Sequence, residues 1–236
     1  RIDYSNDTAT ALDRGFLTVN RFQLGASSSK QNANPIRTLQ PASSVRENVA
    51  PQGFDTGYFT VGDVQNSTTI NRIDYSNDTA AAVAKGPLSV AKYAADGTGN
   101  ASFGYFGGGY GNNPVGGISI VERIDYTNDT ATAVVKGPLS NAKYSSGPTS
   151  TSSFGYFMGG FVQPPNVYST VDRIDYSNDT ATATPKGPLS VAKYTMGATG
   201  NQNFGYVGAG YVHPSTITSI VDRIDYSNDT ATASPK

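Results

Sequence analysis

The chain has 236 residues, of which 37% are hydrophobic and only 15% charged, with a formal net charge of −1. That leaves enough apolar side chain for a sizeable core but no basic field to recruit nucleic acid or anionic lipid. With no cysteine and a single histidine, disulfides, thiolate metal sites, cysteine nucleophiles and most histidine-based triads are excluded.

In chain order the first element is an eleven-residue cassette at 1–11, RIDYSNDTATA. Its arginine recurs as Arg72, Arg123, Arg173 and Arg223, in steps of 71, 51, 50 and 50 residues. The first unit, 12–82, holds RGFLTVNRF from Arg14, a polar proline-bearing insertion at 27–48, and GYFTVG from Gly57. Three further units follow at 83–133, 134–183 and 184–233. KGPLS.AKY begins at Lys85, Lys136 and Lys186, and each unit continues into a glycine-bearing segment: FGYFGGGY from Phe103, FGYFMGGF from Phe154 and FGYVGAGY from Phe204. The whole of 1–236 reads as a single repeat array, with 1–11 completing a preceding or closing blade. Because the chain opens on Arg1, it reads as a processed product or an excerpt. No apolar run approaches the roughly 18 residues of a membrane span and no signal peptide is recognisable, so membrane insertion is not expected.

A fixed period near 50 residues is the mark of stacked supersecondary units, four-stranded propeller blades foremost among them. One period accommodates strands at 139–144, 154–158, 170–176 and 180–184, and no window carries a 3.6-residue pattern. The expected fold class is therefore all-β, a propeller or partial propeller of four-stranded blades. SNDT supplies the turn between third and fourth strands, since Ser, Asn and Asp bond to nearby backbone amides. Alternation puts Asp172, Ile174 and Tyr176 on one face and Val171, Arg173 and Asp175 on the other, so an arginine and an aspartate repeated at one depth should pair laterally between blades.

The order of a strand ending in two glycines before one ending in tyrosine resembles the kelch repeat: FGYFGGG at 103–109 precedes ERIDY at 122–126, and FGYFMGG at 154–160 precedes DRIDY at 172–176. The resemblance implies a kelch-like propeller. One departure is the absence of the tryptophan usual in the last kelch strand, with Ala133 near its place. The nearly verbatim cassettes also resemble those of repeat-containing virion structural proteins of marine cyanobacterial phages. That likeness implies a virion or extracellular setting, with other virion or assembly proteins and surface glycans as partners.

Several patterns invite chemistry. Asp125, Asn128 and Asp129, with copies at Asp175, Asn178, Asp179 and Asp225, Asn228, Asp229, offer calcium-type oxygens. They lack the glycine and distal glutamate of an EF-hand loop, and turns need the same residues, so no metal is assigned. NDT also fits the glycosylation pattern at Asn6, Asn77, Asn128, Asn178 and Asn228. GGGYG at 107–111 lacks a Gly-Lys-Ser/Thr ending. Neither a cofactor nor a catalytic constellation is expected. What varies is the loop after each glycine segment, and loops on a constant scaffold are where binding resides. Tyr110, Asn112, Asn113, Tyr168, Tyr211 and His213 are the candidate binding residues. The expected function is a non-enzymatic structural or adhesive module; the alternative is a propeller adaptor for protein–protein interaction.

Overall fold

Residues 26–28 (backbone), 56–60, 67–77, 79–112, 115–163, 166–214 and 216–236 are described in a computed structural model. Alternating apolar residues there form antiparallel strands. Sheet 1 comprises β1 (Ala26–Ser28), β2 (Thr56–Phe59), β3 (Asn71–Asp74) and β4 (Val83–Ala84). In the next repeat β5 (Asp96–Gly99) and β6 (Phe103–Gly107) lead into a hairpin, β7 (Tyr110–Asn112) and β8 (Val115–Gly117), and sheet 2 is completed by β9 (Val121–Asp125) and β10 (Val134–Lys136). The third repeat has β11 (Gly147–Ser150), β12 (Phe154–Met158), the hairpin β13 (Phe161–Gln163) and β14 (Asn166–Val167), then β15 (Val171–Asp175) and β16 (Thr184–Lys186). The fourth repeats the plan with β17 (Gly197–Gly200), β18 (Phe204–Gly208), the hairpin β19 (Tyr211–Val212) and β20 (Thr216–Ile217), then β21 (Val221–Asp225) and β22 (Ser234–Pro235). The chain is thus all-β, and among the described residues no helix is long and apolar enough to cross a membrane.

Two strand assignments are corrected. Residues 139–144 form a connecting loop rather than a first strand: the Leu139 and Lys143 amides bond to the carbonyls of Ser119 and Ile118, and the ladder begins only after Ser145, at φ 55°. The fourth strand starts at Thr184, because 180–183 are taken up by the turn. Its Ala181 amide donates to Asn178 and its Ala183 amide to Pro138. The reversal itself contains a single 3-10 turn, Tyr176–Asn178, whose N-cap Asp175 accepts from the Ser177 amide and hydroxyl. Of the insertion at 27–48, only the backbone of residues 27 and 28, in β1, lies among the described residues.

The core lies between successive sheets. Tyr58, Leu88, Phe106, Ile124 and Tyr126 fill the first interlayer, and Tyr105, Leu139, Phe157 and Ile174 the second. Tyr156, Leu189, Val207 and Ile224 fill the third. Ala133, Ala183 and Ala233 are buried in the same layers. Each interlayer also buries a tyrosine pair, Tyr58–Tyr126, Tyr105–Tyr176 and Tyr156–Tyr226, stacked at 5.0, 4.7 and 4.8 Å.

The cassette aspartate joins one sheet to the next. Asp179 accepts from Tyr105 Oη at 2.9 Å and from Arg123 at 2.8 Å, and pairs with Lys136 at 3.1 Å, all three from the preceding sheet. Asp129 is held in the same way by Tyr58, Arg72 and Lys85, and Asp229 by Tyr156, Arg173 and Lys186. Register explains the grip: Tyr105 is paired with Arg123, Tyr156 with Arg173, so hydroxyl and guanidinium converge on one point. The expected lateral arginine–aspartate pairing is therefore present, but with the NDT aspartate of the following cassette, while the RID aspartate caps its own turn. Burial opposes ionisation of Asp179, yet the hydrogen bonds from Tyr105 and Lys136 and the Arg123 charge outweigh it and hold its carboxyl below the ordinary value. Beside it the Gly137 amide donates to the Asp179 carbonyl at 2.8 Å.

A second ion pair is wholly buried. Lys143 pairs with Asp172 at 2.8 Å and donates to the Phe157 carbonyl at 3.0 Å; Lys92 with Glu122 and Lys193 with Asp222 repeat it. Burial lowers the Lys92 and Lys143 ammonium groups from the ordinary lysine value against the attraction of their carboxylates.

Close approach makes the KGP glycine irreplaceable: a Cβ at Gly137 would overlap the Ala181 carbonyl, whereas one at Gly197 would meet nothing within 4 Å. Gly137→Ala should cost about 2–3 kcal/mol in urea unfolding. Gly197→Ala should stay within about 0.5 kcal/mol of the parent, and equal costs would refute the packing described.

Candidate functional site

The variable segments between second and third strands are folded hairpins. After β6 the chain turns through Gly108 and Gly109, at φ 65° and 108°, and after β12 through Gly159 and Gly160, at 63° and 107°. GGGYG is therefore a strand-to-hairpin turn. The turn is tied to the following repeat, for the Gly109 amide donates to the Lys143 carbonyl and that of Gly160 to the Lys193 carbonyl, both at 2.9 Å.

A row of six rings runs beneath the hairpins. Tyr93 faces Tyr110 at 5.1 Å, Tyr110 meets Tyr144 edge-on at 5.4 Å, and Tyr144 meets Phe161 edge-on at 5.1 Å. Phe161 then stacks on Tyr194 at 4.8 Å, and Tyr194 faces Tyr211 at 5.6 Å. Backbone bridges 93–110, 144–161 and 194–211 fix the pairs. Burial and then the neighbouring phenols Tyr93, Tyr110 and Tyr194 push the Tyr144 hydroxyl up to about 12, so this hydroxyl stays neutral in the physiological range.

The hairpins carry apolar side chains into solvent. Val115 and Ile217 are each 72% exposed and Tyr211, in register with Ile217, is 37% exposed. Around them stand exposed Asn112, Gln163, Asn166 and His213. Of the residues expected to bind, Tyr110 and Tyr211 belong to the ring row, while Asn112 and His213 lie at exposed hairpin positions. Tyr168 is half-buried behind β14, its amide donating to Gly160. Asn113 lies outside the described residues. Sequence reasoning missed Tyr93, Tyr144, Phe161 and Tyr194, although the AKY tyrosine recurs with the period of the hairpin rings.

The calcium-type oxygens are otherwise engaged: Asp125 accepts from the Thr127 amide and hydroxyl, Asn128 from Thr130, and Asp129 from its three partners. Hydrogen bonds from Thr127 hold the Asp125 carboxyl below its usual value. Asn77, Asn128, Asn178 and Asn228 are exposed on the turns; Asn6 lies outside the described residues.

Away from the hairpins, a cavity of about 290 Å³ opens where the first strands of successive sheets adjoin, lined among others by Ala94, Asp96, Ser145 and Met196. Ala94, Ser145 and Thr195 all have positive φ and hand a backbone bond from sheet to sheet, Ser145 donating to Ala94 and Thr195 to Ser145. Asp96 accepts from the Ser146 amide and hydroxyl at 2.7 Å. No protein-family model matches the chain, and no curated protein does.

Desolvation pushes the Asp96 carboxyl from 3.8 up to about 7, against the Ser146 bonds and the Lys143 charge. A carboxyl raised on folding contributes stability that is complete below its unfolded value and is lost as the pH rises through about 7. The contribution of Asp96 to the melting temperature should therefore fall between about pH 4 and pH 7 and level off above that, and Asp96→Asn should flatten the slope in this window; an unchanged slope would refute it.

Proposed function

We propose that the protein is a non-enzymatic structural or adhesive module that makes its contacts through the β7–β8, β13–β14 and β19–β20 hairpins. The observation that carries this reading is the contrast within each repeat. Sheets and cassettes are copied nearly residue for residue, while three hairpins of unrelated sequence present exposed Val115, Ile217 and Tyr211 beside amide and imidazole groups. Such a surface pairs flat apolar faces with hydrogen-bonding tips, the chemistry that surface glycans and neighbouring proteins require.

The arrangement proposed for the sheets is that of blades in a kelch-like propeller or partial propeller. Its support is that first strand adjoins first strand from β1 to β17 and each sheet buries its face on the next. The setting proposed, a virion or other extracellular assembly, rests on the resemblance of the cassettes to those of phage structural proteins. The experiment is binding of the full chain to an array of microbial surface glycans, compared with the double variant Val115→Asp, Ile217→Asp. Binding should fall at least about tenfold while the melting temperature shifts by less than about 2 °C. Binding that survives the double variant, or no binding at all, would contradict the reading.

A further inference from the structure

Sheets 1 to 3 each offer a tyrosine, an arginine and a lysine to the aspartate of the following cassette. Sheet 4 carries the same three, Tyr206, Arg223 and Lys236, each 50 residues after Tyr156, Arg173 and Lys186. Tyr206 is in register with Arg223, whose guanidinium lies 4.6 Å over the Phe204 ring, as Arg173 lies 4.3 Å over Phe154. Among the described residues nothing covers this face. Tyr105 and Tyr156 are fully buried but Tyr206 only half; Thr98 and Thr149 are buried but Thr199 is exposed; Arg223 Nε is buried without a hydrogen-bond partner.

We propose that this face is a socket for the 1–11 cassette of a second copy of the chain. That segment is identical, residue for residue, to 173–183 and 223–233, the sequences whose turns occupy the sockets of sheets 2 and 3. Asp7 takes the place Asp229 has on sheet 3, bonded to Tyr206, Arg223 and Lys236, and Tyr4 stacks on Tyr206 as Tyr226 does on Tyr156. One carboxylate meeting two cations supplies the charge complementarity.

Ala209 disfavours an occupant joined and packed on sheet 4 as sheet 4 is on sheet 3. Its counterparts Gly108 and Gly159 lie beneath the carbonyls of Lys143 and Lys193, the connecting loops to the next sheet, and a Cβ at either would strike that carbonyl. Ala209, at φ 58° in the same turn, carries the methyl group those positions exclude. The contact is heterologous, so repetition closes a ring or extends a filament.

The test is sedimentation equilibrium of the full chain over a range of concentrations. The parent should self-associate, and more weakly at high salt. Asp7→Ala and Arg223→Asp should each be monomeric with unchanged circular dichroism. Mixed in equal amounts they should form a dimer that grows no further, because the first retains an intact socket and the second an intact cassette. Tyr206→Phe, which deletes only one hydroxyl, should weaken association about fivefold and serves if Arg223→Asp fails to fold. A parent monomeric at every concentration, including one closed on its own cassette, would overturn the proposal. So would variants that associate like the parent, or a mixture that stays monomeric.

Discussion

A single carboxylate per repeat, buried at the seam between sheets, organises this protein. The NDT aspartate leaves its own turn and is received by a tyrosine, an arginine and a lysine of the preceding sheet. A partly buried carboxylate costs free energy unless its charge and lone pairs are matched, and here two cations and a phenol match them. Burial, and next the bond to Asp129, push the Tyr58 hydroxyl up to about 12, so the tyrosine remains a donor near neutral pH. Because the donors sit on adjacent strands and the acceptor on a turn, the contact specifies spacing and order as well as stability.

Two further constraints follow from that seam. The cassette can be gripped only if the next strand passes close by, which requires glycine at 86, 137 and 187, where any Cβ would overlap an alanine carbonyl. The connecting loop that follows must then cross from one sheet to the next, and the buried lysine anchors it. Its ammonium donates to the Phe157 and Thr170 carbonyls and pairs with the Asp172 carboxylate, tying the loop to both strands. Removing either charge alone would strand the other in an apolar layer, so lysine and acid recur together as Lys92–Glu122, Lys143–Asp172 and Lys193–Asp222.

Much of this was legible in the residues. Periodicity of two in FGYFM and VDRID located β12 and β15, and the 50-residue step located their copies. The first strand was misplaced because KGP reads as a turn that introduces a strand, whereas 139–144 after it serve anchoring rather than a ladder. Gly147–Ser150, the actual strand, has no side-chain pattern to announce it, since it is buried against neighbouring first strands. Lys143 escaped notice because a lysine reads as surface until its carboxylate partner is known. The hairpin rings were half visible: Tyr110 and Tyr211 stood out beside variable loops, but their partners Tyr144 and Tyr194 lay in a constant motif, and only folding joins the two.

The division of labour that results, constant seams and variable hairpins, lets one side change without disturbing the other, because seam and hairpin share no ionisable group. The most direct measurement of the seam is a double-mutant cycle on Arg123→Ala and Asp179→Ala by chemical denaturation. The account predicts a coupling energy of about 1–3 kcal/mol between these two residues of different repeats. A coupling below about 0.3 kcal/mol would show that the sheets are held by apolar burial alone and that the cassette aspartate is incidental.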